Sequence, residues 1–187
     1  MGYLSNKEIK KLKFKKIGKN ILISDKASII TPSKIEIGDN TRIDDFSLLY
    51  GSISLGKNVH ITPMCLLGAG DVEIFLNDFS TLAYGVKIFS QSDDYTDGYM
   101  TNSTIDNDFK KIDSGKVVLE KHVIIGTNSV IFPGCRLREG TSVGAMSLIK
   151  SDTKSWSVYS GVPAKYKKKR KKISNTIISK FLKSKLK

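Results

Sequence analysis

His60 and His122 are the two side chains of this 187-residue chain best suited to accept a proton near neutral pH, since free imidazole titrates at about pH 6.5. A solvated aspartate is about three units more acidic and becomes a comparable base only when burial or a like charge raises its pKa. Carboxylates nevertheless crowd one stretch. Six of the 18 acidic residues, Asp93, Asp94, Asp97, Asp106, Asp108 and Asp113, fall between Phe89 and Val118. Asp44 and Asp45 form another acidic pair, which reads as a solvated corner. Cys65 and Cys135 each follow an aliphatic residue by four places (Ile61, Ile131). They read as small buried fillers rather than as a disulfide or nucleophiles. The chemistry on offer is general acid–base work.

These residues are carried by a repeat of six. From Leu119 to Lys154 an aliphatic opens every hexad: Leu119, Ile125, Ile131, Leu137, Val143 and Ile149. Four places on stands a small or β-branched residue: Val123, Ser129, Cys135, Thr141 and Ser147. Neither a helix nor a flat strand repeats every six residues. A parallel β-helix does, each hexad being a short strand plus a turn, with the large aliphatic on the axis. The register also runs through Ile17, Ile23, Ile29 and Ile35, slips to Ile37, Ile43, Leu49, Leu55, Ile61 and Leu67, and resumes at Leu76, Leu82 and Ile88. Three hexads per turn predict roughly six coils.

Residues 1–16 read as a basic helical segment, 17–154 as the β-helix, and 155–187 as a terminal segment with a basic amphipathic helix. Between 89 and 118 the hexads stop. So long an interruption within a compact domain is usually functional, and Phe89, Tyr95, Tyr99, Met100 and Phe109 favour packing over disorder. In the tail Ile173, Ile177, Ile178, Phe181, Leu182 and Leu186 recur at helical steps among lysines. Such a helix packs on its own β-helix or a neighbour, or contacts anionic lipid.

The net charge of +13 lies in the ends: residues 1–19 carry +6 and residues 165–187 carry +11, leaving −4 on the other 145. A nucleic-acid-binding body would carry positive charge on its folded face, so nucleic acid is not expected as a partner. The N-terminus has no signal-peptide apolar segment, and Asn6 departs from the myristoylation pattern. The expectation is a cytoplasmic protein, with the tail left open between packing on the protein and peripheral contact at the inner face of the membrane.

The hexads together with Gly161-Val162-Pro163-Ala164-Lys165 resemble the hexapeptide-repeat acyltransferases, and in particular their acetyl-CoA-dependent sugar acetyltransferases. The resemblance implies a left-handed parallel β-helix, a homotrimer with its site between subunits, and direct attack of the acceptor on the thioester. It makes the 89–118 excursion an acceptor loop. It assigns coenzyme A contacts to Thr127, Ala145, Lys150, Lys165 and Lys168. Better-known members carry a histidine at the head of the loop; here the matching Ile88-Phe89-Ser90-Gln91-Ser92-Asp93 ends in Asp93. His60 is therefore favoured as the base, with Asp93 or Asp94 orienting it or the acceptor. O-acetylation of a sugar hydroxyl in a surface polysaccharide (O-antigen or capsule) or its precursor is the main expectation. The acceptor would be a sugar, a nucleotide-sugar or an oligosaccharide. N-acetylation of a nucleotide-linked amino sugar is the alternative, and a non-catalytic β-helix scaffold comes after it. A metal site like that of the γ-type carbonic anhydrases needs three histidines, so no metal is expected.

Overall fold

The computed structural model describes residues 2–184. Its strands run parallel in three flat faces, making six full coils and part of a seventh. The first face begins with Lys16–Ile17 and ends with Arg136–Leu137; the third runs from Ser28–Ile29 to Leu148–Ile149. The second starts at Leu22–Ile23, passes through His60–Ile61 and Ser142–Val143, and finishes with Ser157–Ser160 and an antiparallel last strand, Lys165–Lys169.

The hexad-opening aliphatics stack along the axis. Ile43 sits beside Ile61, Ile61 beside Leu82, Leu82 beside Ile125 and Ile125 beside Val143. Ile43, Ile61, Leu82 and Ile125 are fully buried, and each such side chain contributes about 1.5–3 kcal/mol on leaving water. The small residues four places on are buried at the corners, where hydroxyls satisfy the turning backbone. Thr41 Oγ1 donates to the Gly56 carbonyl, Ser47 Oγ to that of Thr62 and Ser129 Oγ to that of Gly144. Cys65 and Cys135 occupy the same places as free, buried thiols, and burial pushes Cys135 up to about 11.

A corner turns through one left-handed residue. Between the first and second faces that residue is Asn20, Asn40 and Asn58 in the early coils, then Phe79, His122, Gly140 and Trp156. Left-handed backbone costs an aromatic residue roughly 1–2 kcal/mol, so the aromatic substitutions need a compensating contact. The tail supplies it. His122 stacks on Phe79 at 4.9 Å, and the Arg170 guanidinium lies 5.8 Å from the Trp156 ring. Arg170 Nη1 donates to the carbonyls of His122 (2.9 Å) and Gly140 (3.0 Å). Gly140 is glycine because Trp156 covers it: a Cβ there would lie 2.4 Å from the indole.

Two helices flank the solenoid. Helix α1 (Asn6–Lys11) is shorter than the predicted segment, and it starts on a capping box between Ser5 and Glu8. Its Ile9 is buried and joins the core. Helix α2 (Asn175–Ser184) follows Arg170 and sets the Phe181 ring edge-on against Phe79 at 5.8 Å. Leu186, the last apolar member of the predicted tail helix, lies outside the described residues. Among them no helix is long and apolar enough to cross a membrane.

Candidate active site

The 89–118 loop is an ordered excursion from the corner between the third and first faces. Gln91–Asp93 pairs antiparallel with Ile112–Ser114, so the chain leaves and re-enters the solenoid through a two-stranded ribbon. Asp94 locks the ribbon's outer end. Its carboxylate accepts from Thr96 N (2.8 Å), Thr96 Oγ1 (2.8 Å), Asp97 N (3.2 Å) and Lys111 Nζ (2.7 Å). The Lys111 ammonium and these donors hold Asp94 well below the usual carboxylate range. It is buried and fully engaged within the loop, where it reads as a loop fastener rather than an acid–base group. A depressed folded pKa stabilises the fold above the ordinary value of about 3.9, and that contribution is lost as pH falls through the folded value. The Thr96 and Asp97 amides should therefore begin to lose hydrogen-exchange protection below about pH 4 and lose it fully only well below that, as pH falls through the folded value, while the solenoid strands keep theirs.

Asp93 is placed differently. One of its oxygens accepts the Asn102 amide at 2.7 Å, and the side chain lines a cavity of about 440 Å³ with Tyr95, Asp113, Phe132, Pro133 and Lys150. Lys150 Nζ lies 5.6 Å from the Phe132 ring. Below the ribbon, the cleft lined by Tyr50, Phe89 and Gln91 shares Ser92, Phe132 and Pro133 with this cavity. Together they form a groove with aromatic walls, three carboxylates (Asp93, Asp94 and Asp113) and a cation.

His60 lies elsewhere. It projects from the second face, the side of the triangle opposite the corner that the ribbon leaves. Its Nε2 lies 2.9 Å from Asp44 Oδ2. Asp44 is buried, contrary to its reading as a solvated corner, and also binds Arg42 Nε at 2.6 Å and the Tyr3 hydroxyl at 3.4 Å. Burial pushes the Asp44 carboxyl up, but the bonds from Arg42 and His60 outweigh it and leave it below its ordinary value. The carboxylate that holds His60 is thus Asp44. Neither Asp93 nor Asp94 is among its partners in this chain.

Thr127 and Ala145 stack at the corner between the second and third faces, where the Met146 amide donates to the Thr127 carbonyl at 2.8 Å. The Leu148 amide donates to Gly161, bringing the Gly-Val-Pro-Ala segment onto the same corner at the next level. Lys165 and Lys168 continue from it on the exposed last strand. Phe46, Met64, Tyr84 and Met146 mark this corner with exposed apolar side chains. Thr127, Ala145 and Lys165 therefore share one edge, Lys168 lies back along the second face opposite Val158, and Lys150 faces the groove with Asp93. Sequence reasoning missed Asp44, Lys111 and the groove walls Tyr50 and Phe132. The only signal for Asp44, Tyr50 and Phe132 was a polar or aromatic residue just after a hexad-opening aliphatic; Lys111 lies in the loop, where no register points to it.

No family model matches the sequence. Over 169 residues it is 38% identical to the dTDP-4-amino-4,6-dideoxy-D-glucose acyltransferase of Escherichia coli, spanning 88% of this chain and 87% of that one. The chain belongs to the hexapeptide-repeat acyltransferases. In this left-handed β-helix family, it also superposes on AntD, an N-acyltransferase from Bacillus cereus solved with dTDP and 3-hydroxybutyryl-CoA. The TM-score is 0.96 at 41% identity, covering 99% of this acyltransferase and 98% of AntD. Two further AntD structures, with an aspartate changed to asparagine or alanine, hold dTDP and coenzyme A. WbbJ of Escherichia coli K12, assigned to O-acetyl transfer in lipopolysaccharide biosynthesis, is 27% identical over 72% of this chain and 60% of its own length. Among the described residues of this acyltransferase, no cluster of three or more His, Cys, Asp or Glu is placed to hold a metal.

Proposed function

We propose that this acyltransferase moves an acyl group from a coenzyme A thioester to the 4-amino group of a dTDP-linked 4-amino-4,6-dideoxy sugar. The observation that carries this reading is the near full-length likeness to an enzyme of that substrate class. The expected preference for a hydroxyl acceptor gives way to the amine. The chemistry of the groove agrees. A sugar hydroxyl needs a base as strong as imidazole, whereas an amine is already nucleophilic once it has lost its ammonium proton. A carboxylate suits that task, because it pairs with the ammonium and then receives the proton. Asp93, Asp94 and Asp113 all line the groove. Asp94 is taken up by Thr96, Asp97 and Lys111 and Asp113 is the more exposed of the other two, so Asp93 is the acceptor this reading assigns. The free amine attacks the thioester carbonyl, the C–S bond breaks, and the sulfur leaves as coenzyme A carrying a proton.

Tyr50, Phe89 and Phe132 offer flat faces for a pyrimidine, and Lys150 offers a charge for a diphosphate. Thr127, Ala145 and Lys165 would take the coenzyme at the other corner, with Lys168 along the second face. Those two edges lie a full face apart in one chain, so a complete site is assembled from neighbouring copies, in a homotrimer. The exposed Tyr95, Tyr99 and Phe109 of the loop and the apolar second corner are the surfaces that would meet.

Two acceptors that differ only in amine or hydroxyl at sugar carbon 4 test the proposal. Thiol release should be at least about 10²-fold faster with the amine. Equal or faster turnover of the hydroxyl sugar would restore the O-acyl reading.

A further inference from the structure

Helix α2 has an apolar face made by Ile177, Ile178, Phe181 and Leu182, and a polar face with Lys180 and Lys183. Only part of the apolar face is used by the solenoid. Phe181 rests on Phe79, while Ile177 remains 61% exposed and Leu182 49%. The approach to the helix is as unusual as the helix. Among the described residues from Lys165 onward no side chain takes part in an ion pair, and residues 165–187 include eleven basic residues and no acidic one.

We propose that this tail docks the acyltransferase on an anionic lipid bilayer, with Ile177 and Leu182 entering the headgroup boundary and Lys180 and Lys183 beside them at the lipid phosphates. Charge selects this occupant. A second copy would bring the same basic, acid-free tail, so tail would repel tail. A nucleic acid would satisfy the lysines but would leave the exposed isoleucine and leucine without a role. A negatively charged bilayer takes both, because apolar burial and attraction of lysines to anionic headgroups act together at such an interface. Residues 20–164, which sum to −4, would be turned away from the surface. Arg170, fixed to the carbonyls of His122 and Gly140, sets where the tail leaves the solenoid.

Co-sedimentation with phosphatidylcholine vesicles, with and without phosphatidylglycerol, tests the docking on the full chain. Binding is expected only with phosphatidylglycerol, and it should fade as salt rises from about 0.05 to 0.5 M, because the Debye length shortens. Lys180→Ser with Lys183→Ser should weaken it roughly 10- to 30-fold, and Ile177→Ser with Leu182→Ser should weaken it even at low salt. Deleting residues 173–187 should abolish binding while leaving turnover on a soluble acceptor within a few-fold. Three results would overturn the proposal: no binding to anionic vesicles by the intact protein, undiminished binding by the Ile177/Leu182 variant, or loss of the native oligomer in that variant. The last would make the helix a subunit contact. None of these readouts depends on which acceptor is acylated.

Discussion

Asp93→Asn is expected to lower kcat by about 10²–10⁴-fold, the usual worth of a positioned proton acceptor, with coenzyme A affinity unchanged. The exchange keeps the shape of the side chain, and an amide oxygen can still accept from the Asn102 backbone. It removes the group that pairs with an ammonium and receives its proton. Because Thr127, Ala145 and Lys165, the residues proposed for the coenzyme, lie at another corner, the loss should fall on kcat and acceptor KM. His60→Asn is the companion measurement. His60 stands on the second face, held by buried Asp44, and within the chain nothing connects it to the groove. Its replacement should leave turnover within a few-fold. A normal Asp93→Asn enzyme beside a dead His60→Asn enzyme would make the histidine the base, reached across a subunit boundary.

The repeat was legible in the sequence because its cause is local. An aliphatic at every sixth place has no stable home except an axis, and Ile43, Ile61, Leu82 and Ile125 stack there as the spacing requires. Small residues four places on were equally readable, since from the third coil onward the corner beside that axis is filled by Thr, Ser, Cys or Val. The loop's position was visible as a break in register. Its order was not, because it depends on Asp94 meeting Lys111, 17 residues away, and on backbone amides that no side-chain pattern reports. The carboxylate that meets His60 was not legible for a similar reason. Asp44 and His60 are 16 residues apart, roughly one coil, so two turn-like positions that look solvated in sequence stack and bury each other's polar atoms. The tail helix was legible from its apolar spacing. Its clasp was not, although Phe79, His122 and Trp156, at left-handed positions of the first-to-second corner otherwise held by Asn or Gly, carried the signal.

Mixing two inactive variants should restore activity if the site is built from neighbouring copies. Asp93→Asn disables the groove of one corner. Ala145→Trp blocks the coenzyme edge at another, and Ala145 is exposed, so the indole can be carried without entering the core. Each variant alone should be nearly dead, for different reasons. In a one-to-one mixture dissociated and reassembled together, some sites will combine an intact ribbon from an Ala145→Trp chain with an intact corner from an Asp93→Asn chain. Random assembly gives such sites about a quarter of the total, so turnover should rise from near zero to about a quarter of the unaltered enzyme per site. The gain must need reassembly: mixing intact oligomers without dissociation should give nothing. If the reassembled mixture stays dead while each variant folds and associates normally, groove and coenzyme edge belong to one chain. The ribbon would then have to cross the whole third face to reach Thr127, which its pairing between Gln91–Asp93 and Ile112–Ser114 opposes by tying both strands to the corner they leave from.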